Sequence, residues 1–156
     1  MTDDFETAMA NFSLELFRRT LSEDRENDLI SPLSAMMCLA LLANGADGET
    51  RAQMEAALGM RMEDLNPALY AFAASTQGHE NGKVSYANSI WFRDDGSISV
   101  KKSFLQTNAD WYGAQVYKEP FDSATVDKIN QWVRENTMDM IDSIVEKVSP
   151  ETVMYL

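Results

Sequence analysis

The chain of 156 residues carries 13 Lys plus Arg against 25 Asp plus Glu, a formal net charge of -12. A field of that sign repels phosphate and anionic lipid, which argues against nucleic acid or a membrane surface as a partner. With 45% apolar and 24% charged residues the usage is that of an ordinary globular chain, long enough for a single domain that buries roughly 70% of its unfolded surface.

The single cysteine, Cys38, has no partner for an internal disulfide and sets no redox compartment. The N-terminus "MTDDFETAMANF" opens on two acids where a secretory leader wants basic residues and an apolar core, so the chain as given reads as leaderless. Its parent's compartment, extracellular or cytoplasmic, stays open. The longest apolar run, Ala35 to Ala43, is far short of the roughly 20 residues needed to span a bilayer.

In chain order, Phe5, Met9, Phe12, Leu16 and Phe17 recur at three- and four-residue spacing and predict an amphipathic first helix from Phe5 to Leu21, broken by "SEDREND". In "NDLISPLSAMMCLALLANGADGET", Ser31 caps a second helix, Pro32 fits its first turn and Gly45 terminates it. That segment is apolar nearly all round, which predicts a core helix buried on every side, with Cys38 an inert small hydrophobe within it. A third helix is expected from Glu49 to Leu58, stopped by Gly59, and a weaker fourth from Asn66 to Ser75 with Pro67 in its first turn.

"TQGHENG" reads as an exposed loop, and Lys83 to Phe92, "KVSYANSIWF", as a strand with "RDDG" as its turn. Lys101 to Tyr112 returns to helix with Phe104, Leu105 and Trp111 inward, and Gly113 to Phe121 reads as a second strand. From a cap at Asp122 or Ser123, a stripe through Val126, Ile129, Val133, Met140, Ile141, Ile144 and Val148 predicts a last helix of about six turns. "SPETVMYL" then starts a third strand. Strands joined through a helix imply crossovers and parallel pairing.

The residues that could carry chemistry do not assemble into a catalytic pattern. Ser31 and Ser34 would need a base, and the one histidine, His79, falls in the polar loop. One Cys and one His make no metal-ligand set, and "GADGET" lacks the lysine of a phosphate-binding loop. The adjacent acids Asp94 and Asp95 read as turn residues, the sequon "NFS" at Asn11 as an accidental match on a helix, and most of the ten Met as core filler. No catalytic residue, metal or cofactor is expected.

The same segments carry a resemblance to a known family. "NDLISPLS" fits the serpin signature N-x-x-x-S-P-x-S through Asn27, Ser31, Pro32 and Ser34, and "NGADGET" fits G-A-x-G-x-T through Gly45, Ala46, Gly48 and Thr50. "NFSLELF", "YANSIWF", "YGAQVYKEPF" and "INQWVRENT" follow in the family's order, so the resemblance runs along essentially the whole chain. It implies an α+β fold comprising helices A to F, the first two strands of sheet A and the start of the third: one partial serpin domain over residues 1–156, ending before the reactive-centre loop. It further implies that Ser31 and Ser34 are hydrogen-bonding residues of the shutter where sheet A opens, with Asn27, Pro32, Gly45, Thr50, Asn88, Asn130 and Thr137 as structural companions.

By that resemblance the parent is a suicide-substrate inhibitor of serine or cysteine proteases, and the chain alone, lacking the reactive-centre loop, is not expected to inhibit. Its expected partners are the parent's target protease, the missing C-terminal half and a second copy bound through an exposed sheet edge. The alternative is a stand-alone acidic interaction module that keeps the half-fold and uses that edge to bind another chain.

Overall fold

The structure, a computed structural model, describes residues 2–21, 27–77 and 84–156; His79 and its loop lie outside the described residues. Among the described residues six helices and three strands follow one another, and the chain divides into two compact units, Met1–Thr76 and Gln77–Leu156.

The first unit is helical. Helix α1 (Asp3–Thr20) is capped by Thr2, α2 (Pro32–Ala43) by Ser31, and α3 (Gly48–Leu58) by Asp47, while α4 (Met62–Thr76) closes the unit. Phe5, Met36, Leu41, Leu58, Met62, Leu65 and Leu69 form its fully buried interior. Helix α4 begins four residues earlier than the sequence suggests, which leaves Pro67 in the helix interior instead of its first turn. The Glu55 carboxylate explains the early start: it accepts the Met62 N–H at 3.0 Å and holds Arg51 at 3.0 Å. Those bonds, the Met62 N–H foremost, hold the Glu55 carboxyl below its usual range.

Helix α2 departs from the expectation of burial on every side. Met36, Met37, Ala40, Leu41 and Ala43 are buried, but Leu39 is 37% and Leu42 46% exposed, and Cys38 is exposed as well. Within this unit α1, α3 and α4 cover one side of the helix only. The end of α2 also differs, because Asn44 caps it in the right-handed region and Gly45 closes a tight turn onto the Leu42 carbonyl at 2.9 Å. Left-handed backbone is used instead at Gly59, where φ is +78°.

In the second unit the sheet has the order β2-β1-β3, with β1 Ser89–Arg93, β2 Gln115–Glu119 and β3 Met154–Tyr155. Strand β1 runs parallel to β2 through the crossover helix α5 (Lys102–Tyr112), as a helix-linked pair requires. Strand β3 pairs antiparallel to β1, against the parallel expectation, because the chain after α6 (Ser123–Asn136) turns back across the sheet before it pairs. Strand β1 is shorter than anticipated; upstream, Val84 makes only an isolated bridge with Gln77. On α5 the buried positions are Phe104, Asn108 and Tyr112, a strict four-residue stripe, so Trp111 falls on the open side at 36% exposure.

Helix α6 has a full capping box: Asp122 accepts the Thr125 N–H at 3.0 Å, and the Thr125 hydroxyl accepts the Asp122 N–H at 3.3 Å. It ends at Asn136, three turns short of the expected stripe. Met138 and Asp139 both take positive φ, 53° and 58°, and the apolar positions beyond them continue as irregular chain, with Met140 and Ile144 well exposed. The core of this unit is Trp91, Phe121 and Ile129, with Tyr117, Trp132, Val145, Val148 and Tyr155 packed around it.

At Gly59 an added Cβ would stand 3.2 Å from the Ala8 Cβ in a left-handed backbone. Gly59→Ala is expected to lower stability by about 1–3 kcal/mol, read from urea unfolding followed by far-UV dichroism; an unchanged midpoint contradicts the assignment.

Candidate functional site

The sequence offers a set of polar side chains that hold backbone, and the structure places each of them. At the start of α2 the Ser31 hydroxyl accepts the Ser34 N–H at 3.4 Å and lies 2.8 Å from the Ser34 hydroxyl. Pro32 occupies the first turn, where its missing N–H costs nothing. Asn27, Ser31 and Ser34 are exposed, and Thr50 is exposed on the first turn of α3. The serine pair is thus a cap with a free outer side, and its nearest hydrogen-bonding group is another hydroxyl rather than a base.

Asn88, Asn130 and Thr137 act in the second unit, each at a different chain crossing. The Asn88 amide donates to the Tyr112 carbonyl at 2.9 Å, and its own carbonyl accepts the Gln115 N–H at 2.9 Å, so it fastens the end of α5 and the start of β2 to β1. Asn130, buried on α6, donates to the Val145 carbonyl at 2.7 Å and accepts the Ile144 and Val145 N–H groups at 3.0 and 3.1 Å. Its side-chain amide replaces a strand partner for a segment that has none. Thr137 bonds back to the Val133 carbonyl at 2.8 Å and accepts the Ile141 N–H at 3.2 Å.

Three participants escape a reading of the sequence. Arg93, taken there only as part of a turn, donates to the Thr152 carbonyl from Nε at 3.0 Å and from Nη2 at 2.8 Å, and to the Ser149 carbonyl at 3.3 Å. Its guanidinium also lies 5.3 Å from the centre of the Phe121 ring. Asn44 and Asn66 exchange amide bonds of 2.9 and 3.3 Å between the end of α2 and α4. No local spacing announces either arrangement; the partners are 56 or more and 22 positions apart.

The arrangement holds main chain, apart from the Asn44–Asn66 side-chain pair, and among the described residues no hydroxyl in it bonds a base. Among the described residues no group of three or more His, Cys, Asp or Glu side chains could hold a metal ion, and no helix is long and apolar enough to cross a membrane. Partial desolvation pushes the exposed Cys38 thiol up, which keeps it protonated at neutral pH. Cys38 thus departs from the burial expected of it and is an exposed thiol, less acidic than a free one.

Removing the Asn130 amide leaves three backbone groups to water. Asn130→Ala is expected to cost about 1–3 kcal/mol in urea unfolding and to speed amide exchange at Ile144 and Val145 selectively. Equal exchange at those two amides in both proteins contradicts the clamp.

Comparison with known proteins assigns this architecture. The family model "Serpin (serine protease inhibitor)" matches residues 7–156. Glia-derived nexin of Homo sapiens is 26% identical over 87% of this chain and 35% of its own length. Serine proteinase inhibitor 2 of Myxoma virus (strain Uriarra) is 27% identical over 92% of this chain and 37% of its own. The solved structure of a loop C-sheet serpin polymer superposes with a TM-score of 0.93 at 49% identity, covering 99% of this chain and 41% of that one. The aligned part thus spans about 35–41% of the length of these relatives. With the family model reaching from the first helix to the third strand, the chain belongs to the serpin family.

Proposed function

We propose that the chain is the N-terminal part of a suicide-substrate inhibitor of serine or cysteine proteases, and that residues 1–156 alone do not inhibit. The observation that carries this reading is the serpin match over residues 7–156 by a chain whose alignment covers only 35% and 37% of two curated relatives. One of those relatives bears the name serine proteinase inhibitor. In the family the bait loop lies near the C-terminus, beyond the aligned part. The parts present would act as scaffold: Ser31 and Ser34 as the shutter pair, with Asn27, Pro32, Gly45, Thr50, Asn88, Asn130 and Thr137 as its support. The chain is not an enzyme on this reading, and its hydroxyls serve only as hydrogen-bonding groups.

The test incubates residues 1–156, and separately the product of the full open reading frame, with trypsin-like and papain-like proteases. The short chain is expected to give no detergent-stable adduct, and the longer product to give one that disappears when the protease's catalytic serine or cysteine is replaced. An adduct with the short chain, or a reading frame that stops at Leu156, overturns the proposal; the latter outcome favours the acidic interaction module.

Self-association is a second reading, supported by a separate observation. Strand β3 covers only Trp91 and Phe92 of β1 through its two residues, and β2 borders the sheet on the other side. Unpaired strand edges are templates for another chain. One of the structural relatives at 49% identity was solved as a loop C-sheet polymer, while two others at that identity were solved in latent and native states. Residues 1–156 are expected to scatter light as a dimer or larger species at physiological salt, where charge repulsion is screened beyond about 8–10 Å; a monodisperse monomer at micromolar concentration refutes it.

A further inference from the structure

Where α6 lies against the sheet, a cleft of about 180 Å³ opens between Trp91, Tyr117 and Glu119 of the strands and Lys128, Trp132 and Glu135 of the helix. The strand residues belong together by register: Trp91 opposes Tyr117, and Glu119 lies two residues further along on the same face. The rings of Trp91 and Tyr117 stack at 3.9 Å with 13° between their planes. Their polar edges are already engaged. The Trp91 indole N–H donates to the Ser89 hydroxyl at 2.9 Å, and the Trp132 indole and the Tyr117 hydroxyl both donate to Gln115 Oε1, at 2.8 and 2.5 Å. Trp91 is itself buried, at 3% exposure, with one face covered by Tyr117, so the π surface left to a ligand belongs to the half-buried Tyr117 and Trp132, whose quadrupole attracts cations.

Two carboxylates complete the lining, and they differ. Glu135 is exposed and accepts from Gln131 at 2.8 Å. Glu119 is recessed, with its side chain 15% exposed, and its counter-ion is Lys128, 2.7 Å away with a side chain 55% exposed. The acceptor is therefore fixed by the strand, whereas the donor sits on a long, wet tether. An exposed lysine in such a pair is held weakly. A guanidinium is planar, less strongly hydrated, able to bond a carboxylate through two N–H groups and to stack on aromatic rings. We propose that this cleft binds a single alkylguanidinium, which displaces the Lys128 ammonium from Glu119 and lies against the aromatic lining. The ligand is either a free small cation or the arginine side chain of a peptide.

The test follows the three indole N–H resonances of ¹⁵N-labelled residues 1–156. Methylguanidinium and an acetylated Gly-Arg-Gly amide are titrated separately at constant ionic strength, with sodium chloride as the control. Trp91 and Trp132 are expected to shift along saturable curves in the millimolar range, while Trp111 on α5 stays in place. Glu119→Gln should weaken binding about fivefold or more, and Lys128→Met, which removes the internal competitor, should tighten it about threefold. Tighter binding of the peptide assigns the source as a protein partner, and equal affinities assign a free cation. No saturable shift up to about 50 mM, equal movement of all three indoles, or weaker binding by Lys128→Met overturns the proposal.

Discussion

The parallel pairing of β1 with β2 is the constraint on which the second unit depends. Parallel neighbours cannot be joined by a tight turn, so the chain must cross over, and α5 is that crossover. The crossover has to be fastened at its return, which is the work of Asn88 on the Tyr112 carbonyl and the Gln115 N–H. Once the two strands are in register, Trp91 and Tyr117 stack, Ile129 and Trp132 of α6 find an aromatic surface to cover, and the interior closes around Phe121.

The second theme is main chain held by side chains instead of by ladders. After α6 the chain runs from Met138 to Thr152 with almost no regular structure, yet Thr137, Asn130, Arg134 and Arg93 meet its backbone groups in turn. Each bond of this kind is worth about a kilocalorie per mole net, and each is local enough to be lost singly. A segment tied this way can be ordered without being strongly coupled to the sheet beneath it. The serine pair at Ser31 and the capping box at Asp122 apply the same economy to helix starts.

How much of this was legible in the sequence follows from the range of the interactions involved. Periodicity and caps located all six helices, because those signals act within four residues; the Ser31–Pro32 start of α2 and the Gly59 stop of α3 are read directly. The family resemblance was equally local, residing in "NDLISPLS" and "NGADGET". The extent of α6 was misread because the apolar spacing persists through Val148 while the backbone does not, and spacing carries no information about φ at Met138 and Asp139. The start of α4 was misread because its cap is supplied by Glu55, from the preceding helix. Among the site residues, Asn130 stood out only by resemblance, whereas Arg93 and the Asn44–Asn66 pair depend on partners brought near by folding.

The meeting of α1 with the end of α3 has a bearing on how this sequence can drift. Ala8 and Gly59 touch through the space where a side chain on either would project, so neither position is free while the other keeps its present size. A larger residue at position 8 presses on the Gly59 backbone, and a larger one at 59 meets the Ala8 methyl and a left-handed φ at once. The two sites form an epistatic pair, and the fold admits change there by small, matched steps or by a displacement of α1 as a whole.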